Sequence, residues 1–255
     1  MISLGQIVQS YRERLITLEQ HTAQAIRSAH AHMLLVVMPH ITPLLKQIGE
    51  AKAADNPVPL HWLYTGDKLG NVKHLVKSQV NSFGGNAKAQ VLTAQTHGAG
   101  LGLQSAHAQL ATVAPAHTIK TPPLSAGKII GYTQQGKPID DLMDGFGEEA
   151  SDRVGKALIA GVSIGQQPDM IDRAIMAALL ICLFRSLTIS RTEEMNAYRD
   201  AWSLTAQQND VQQWQWVAQA GACPFCKSMD GSVHDISEDL DSHPNCRCQQ
   251  RLVTA

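Results

Sequence analysis

Apolar residues recur at three- and four-residue steps from Ile7 to about Met38, with Arg12, Arg14, Glu19, Gln20 and Arg27 between them. That period predicts an amphipathic helix over this stretch, which Pro39 and Pro43 are expected to stop or kink. Asp55 to Pro59 has the composition of a turn or extended link. The pattern predicts a second helix from near Asp67 to Phe83, broken by Gly84-Gly85, and a third over roughly Asn86–Val113. Glycines at 98, 100 and 102 weaken the expectation in its middle.

From Ala114 to Asp140 periodicity fades and four prolines appear, so this segment reads as a linker or extended arm. Helical spacing returns at Leu142–Gly165. Next comes a nearly all-apolar helix over about Asp169–Leu183, with Pro168 suited to its first turn, and then a long helix over about Ser186–Asn209. At Asp210 the texture changes. Val211 to Ala218 alternates polar and apolar residues and predicts a strand. The fold class expected is mainly α (α+β): helical N-terminal and central regions and a small C-terminal, zinc-stapled, β-containing module. The domain boundaries expected are 1–113, a linker or arm at 114–140, and 141–255, the last divided into helices at 141–209 and a zinc module at 210–255.

Composition supports a helical soluble protein. Of 255 residues, 44% are hydrophobic and only 5% aromatic, and β-rich domains lean on aromatic and β-branched residues. The longest apolar run, Ala174–Phe184, is stopped by Arg185, well short of the roughly 20 residues a bilayer requires. No membrane span or leader peptide is expected, and assembly in a cytoplasm follows. The formal charge is −1, but it is unevenly distributed. Residues 1–130 hold 11 Lys+Arg against 5 Asp+Glu, and residues 131–255 hold 10 against 17. The first stretch suits an acidic partner; bare phosphate would repel the second.

Four of the five cysteines lie in the last 33 residues. Cys223-Pro-Phe-Cys226 is followed, sixteen residues on, by His243-Pro-Asn-Cys246-Arg-Cys248. Zinc takes four nitrogen or sulfur ligands in a tetrahedron, and a pair spaced by two residues chelates one edge. In a reducing compartment such clusters indicate metal before disulfide. Four of Cys223, Cys226, His243, Cys246 and Cys248 are the expected ligands. Spacing does not choose between Cys246 and Cys248. A structural metal contributes folding energy on the order of 10 kcal/mol to so small a module. Cys182, alone in an apolar run, is expected in the core.

Two enzymatic readings compete. Cys-Pro-Phe-Cys has the form of a dithiol oxidoreductase site, but that chemistry belongs early in a βαβ unit. A zinc-supported, nuclease-like DNA-processing enzyme needs a general-base His beside a divalent-metal ligand. Only His234 and His243 are present in this half, and no paired acidic-plus-Lys constellation accompanies them.

Residues 186–251 resemble the C-terminal module of the tailed-phage minor head, or head-morphogenesis, family (the phage Mu F-like domain). Four elements carry the resemblance in order. They are Thr188-Ile-Ser-Arg191-Thr192-Glu193 with Asn196 and Tyr198; the strand Trp214–Val217; Cys223-Pro-Phe-Cys226 with Met229-Asp230-Gly231-Ser-Val233; and His243-Pro-Asn-Cys246-Arg-Cys248. Phe146–Ile189 and Trp62-Leu63-Tyr64 are more loosely similar to the family's upstream helices. Gln219-Ala-Gly-Ala222 departs from the charged segment that often precedes the first cysteine. With Ala255 as its end, the chain is expected to lack a fused toxin or enzyme.

The resemblance implies a structural, non-enzymatic virion protein inside the head near the portal vertex, made in the host cytoplasm. Such a protein aids procapsid assembly and takes part in DNA packaging or ejection. Its implied partners are portal, scaffold or major capsid protein and packaged DNA, with no small-molecule substrate. Arg191 and Glu193 lie two apart on a helix and must reach different partners. They are expected, with the Asp230-Gly231 turn, to support the zinc module. Lys68, Lys73, Lys77 and Lys88, in the basic stretch, are the candidates for contact with DNA or portal.

Overall fold

A computed structural model describes residues 2–116, 118–124, 129–238 and 243–253. Within the expected linker, residues 117 and 125–128 lie outside the described residues. The protein is mainly α, with a small β-containing module near its C-terminus.

Helix α1 spans Leu4–Ala53. It starts three residues before the first apolar repeat because Ser3 and Gln6 form a reciprocal cap. The Gln6 amide donates to Ser3 Oγ (3.2 Å), and the Ser3 amide donates to Gln6 Oε1 (2.8 Å). Of the two effects expected of Pro39 and Pro43, a stop or a kink, the stop does not occur. Both prolines are exposed, so the carbonyls they leave unbonded face water. The buried stripe Met33, Val37, Ile41 and Leu45 continues past them.

The break expected at Gly84-Gly85 is also absent, and α2 runs unbroken over Lys68–Val113. Val76, Val80, Phe83, Ala87 and Val91 form a buried stripe across the two glycines. Burying one such apolar side chain gains more than a helical glycine costs.

Short α3 (Asp140–Met143) precedes α4 (Phe146–Ser163). The two helices expected from Asp169 to Asn209 are one, α5 (Pro168–Gln208), with Pro168 in the first turn as predicted. Part of α5 reaches a mean hydropathy of 1.7 over 18 residues, which by length and composition is enough to cross a membrane. Its Ile171, Ile175 and Leu179 are completely buried, and a core helix has the same composition.

The C-terminal module is β1 (Gln213–Val217), α6 (Pro224–Met229), β2 (Val233–Asp235) and β3 (Gln249–Leu252). The strands form an antiparallel sheet in the order β2-β1-β3. The predicted alternation holds: Trp214 and Trp216 are buried, and Gln213 between solvent and sheet is exposed.

Two compact units share the chain, with boundaries inside α1, α2 and α5 and a fourth at residues 139/140. One unit comprises residues 1–23, 90–139 and 188–255; the other comprises 24–89 and 140–187. In the second, His30 is buried, its Nε2 3.0 Å from the Leu179 carbonyl, with its ring edge-on to Phe83. In the first, Trp202, Trp214, Trp216, Ala106, Leu110 and Leu252 build one core with Cys226, Cys246 and Cys248. The cysteine motifs thus sit in apolar packing as well as near one another.

Candidate metal centre

Cys223 is the N-cap of α6. Its backbone is extended (φ −63°, ψ 164°), and its Sγ accepts the Cys226 amide at 3.4 Å. Pro224 occupies the first helical position, where its missing N–H leaves nothing unpaired. The first turn of α6 therefore holds both thiols on one side. The second motif closes on a tight turn: the Cys246 amide bonds the His243 carbonyl (3.2 Å), and Asn245 is left-handed at φ 64°. Asparagine tolerates that conformation.

The structure brings all five predicted ligands together. His243 Nε2 lies 3.2 Å from both Cys223 Sγ and Cys226 Sγ, and Cys226 Sγ lies 3.7 Å from Cys246 Sγ. Cys226, Cys246 and Cys248 form a second set of mutually close thiols, so Cys226 belongs to both. The cluster can hold a metal ion. Tetrahedral metal–thiolate bonds of about 2.3 Å imply sulfur–sulfur edges of about 3.8 Å, and the Cys226–Cys246 separation fits that edge. His243 Nδ1 is 2.9 Å from the Pro244 carbonyl. A carbonyl only accepts, so Nδ1 carries the proton and the lone pair on Nε2 faces the thiols.

The thiols differ in electrostatics. Burial pushes Cys226 up to about 12. A hydrogen bond from Cys248, aided by the charge of Arg199, pushes Cys246 down to about 4. The same hydrogen bond raises Cys248. Cys223 is lowered, chiefly by the Cys226 amide, and His243 is raised by the Pro244 carbonyl. The donors form a soft sulfur-and-imidazole set in which one thiol already favours its anionic form, as metal ligation requires.

Helix α5 fastens the second motif. Arg199, buried at 2% exposure, is not among the residues the sequence singled out. Its Nε donates to the Cys248 carbonyl (3.1 Å), and its Nη2 reaches the carbonyls of Cys248 (2.9 Å) and Cys246 (3.2 Å) and the Cys246 Sγ (3.1 Å). Arg191, eight residues earlier on the same face, bonds Asn245 Oδ1 (3.1 Å) and Glu19. Thr192 Oγ1 accepts the Asn245 amide (3.1 Å). Glu19, in α1, also takes a bidentate bond from Arg247, between Cys246 and Cys248, at 2.6 and 2.7 Å. The available signal for Arg199 was its eight-residue spacing from Arg191. Nothing local pointed to Glu19.

The other predicted positions separate. Arg191 supports the module directly. Glu193 is buried, its Oε2 lacks a hydrogen-bond partner among the described residues, and burial pushes its carboxyl up to about 7. Asp230 accepts the Ala218 amide (2.8 Å), tying the turn after α6 to the end of β1.

The four lysines are occupied within the chain. Lys73 pairs with Asp152 (2.7 Å), Lys77 with Glu148 and Lys88 with Asp140. Lys68 bonds the Thr65 carbonyl and lies over the Trp62 ring. The basic and acidic stretches therefore neutralise each other in part within one unit. His234 stacks on Trp214 at 4.5 Å, with Nε2 at Ser232 Oγ (2.7 Å) and Nδ1 at Glu238 (3.1 Å). Both of its nitrogens are engaged.

No protein-family model, curated protein or solved structure matches this chain.

Proposed function

We propose that the chain is a non-enzymatic assembly protein of the tailed-phage minor head type, whose C-terminal module is stapled by a structural zinc ion. One observation carries this reading. The two cysteine motifs close on each other, and the second is fastened to α5 by Arg191 and Thr192, within Thr188–Glu193, and by Arg199. The four ordered elements of the sequence resemblance at residues 188–248 thus lie in one compact unit. Zinc suits the donor set because it favours tetrahedral sulfur and imidazole ligation and needs no open position in a structural site. In this reading the protein resides in the head near the portal vertex. It docks on portal, scaffold or major capsid protein after synthesis in the host cytoplasm.

Co-expression with the portal, scaffold and major capsid proteins of the same virus tests it. The chain is expected to co-sediment with procapsids, and Cys223→Ser to reduce incorporation. Absence from purified heads overturns the assembly role, and cleavage of DNA by the pure protein with Mg²⁺ or Mn²⁺ overturns the non-enzymatic one. Metal analysis of the folded protein is expected to find one zinc per chain; a value well below one refutes the staple.

A further inference from the structure

Within the first unit, α1 and α2 leave an open groove of about 700 Å³. Leu18, Leu101 and Gly100 form its floor, and Arg14, His21 and His97 stand on its rim. Helix α2 lines it over residues 90–104, about 21 Å of helical rise. No carboxylate is among its lining residues. Arg14 is held by Gln104 Oε1 (3.1 Å) and lies over the Tyr11 ring, and among the described residues it has no ion pair. This contrasts with Lys73, Lys77 and Lys88, whose charges are met by carboxylates of the chain itself. Arg14 thus places a charge that no carboxylate of the described residues meets at an apolar trough.

We propose that this groove receives an amphipathic helix of a partner protein, with an apolar stripe on the floor and carboxylates facing Arg14, His21 and His97. A trough lined by α1 over residues 14–22 and by α2 over residues 90–104 suits a helix laid along it, which buries a stripe at i, i+3, i+4 and i+7. A rim of one arginine and two imidazoles, with no carboxylate among the lining residues, favours acidic flanks and disfavours basic ones. The inference does not rest on the assembly reading, since neither the metal centre nor any head component enters it.

The test is selection of displayed 14-residue helices against the purified full chain. The library keeps an apolar stripe and randomises the flanks among Glu, Lys, Gln and Ser. Glu is expected to be enriched at the flanks. Arg14→Glu and Gly100→Leu are each expected to weaken the selected peptides at least tenfold. A β-carbon at Gly100 meets nothing within 4 Å, so Gly100→Leu fills the floor without disturbing the fold and should melt no lower than the parent. No enrichment, enrichment of Lys, or binding that survives both substitutions overturns the proposal. So does a wild-type dimer in sedimentation that Gly100→Leu dissociates, because a second copy would then be the occupant.

Discussion

Arg199 concentrates the residue-scale argument. A guanidinium carries five donors in a planar fork, and here the fork grips two carbonyls and one thiol of a loop that has little regular structure. Lysine retains the charge but loses the fork, and alanine leaves both carbonyls buried without partners, at about 1–3 kcal/mol each. Arg199→Ala is therefore expected to lower unfolding stability by about 2–5 kcal/mol and Arg199→Lys by less. Denaturant titration with parallel metal analysis measures both, and unchanged metal retention in the alanine variant would refute the anchoring role. Glu194 gives a pH prediction. Burial, followed by the nearby charge of Glu19, raises its carboxyl to about 9 from the ordinary 4.5, and its Oε2 has no hydrogen-bond partner among the described residues. The folded state holds the proton that the unfolded chain has already released. Its contribution is full below about pH 4.5 and is lost as pH rises toward 9. Between pH 6 and 9 the wild type should lose stability more steeply than Glu194→Gln; parallel melting curves would contradict this.

At the scale of elements, the glycines of α2 separate into two kinds. A β-carbon at Gly98 would lie 2.6 Å from the Glu194 carbonyl oxygen, and one at Gly102 would overlap the Tyr198 carbonyl. These two positions, one turn apart, let α2 approach the backbone of α5 closely. Gly84, Gly85 and Gly100 have nothing within 4 Å. Gly98→Ala and Gly102→Ala are expected to destabilise by about 1–3 kcal/mol through overpacking. Gly84→Ala and Gly100→Ala are expected to stabilise by about 0.5–1 kcal/mol through helix propensity. Urea titration of the four variants checks the sign at each site. The prolines of α1 follow the same reasoning: a helix breaker on an exposed face, beside a buried stripe, costs less than the stripe gains.

For the whole molecule, the metal ligands and the contacts of Arg199, Arg191 and Glu19 all belong to the unit of residues 1–23, 90–139 and 188–255. Removing metal should therefore loosen that unit first. With a strong chelator at neutral pH, hydrogen exchange is expected to accelerate across 210–253 while the protection of His30, Phe83 and their neighbours in the other unit persists. Uniform loss of protection would contradict this. The ion pairs of Lys73, Lys77 and Lys88 are solvent-exposed, and exposed pairs contribute little. Replacing all three by Gln should leave the melting temperature within a few degrees.

Much of this architecture is local in origin and can be read along the chain. Helical periodicity, the alternation that predicts β1, Pro168 at a helix start, and the Cys-x-x-Cys and His-x-x-Cys-x-Cys spacings depend on residues a few positions apart. Tertiary packing decides where local tendencies conflict. Proline signals predicted a stop or kink in α1 and glycine signals a break in α2, and buried stripes carried both helices through. Arg199, 49 residues from Cys248, and Glu19, 228 residues from Arg247, have no local signature. They act only because folding places a guanidinium and a carboxylate against a loop that has little regular structure of its own. The lysines show the converse. Their charge is plain in the sequence, but its availability depends on carboxylates that only the fold brings within reach.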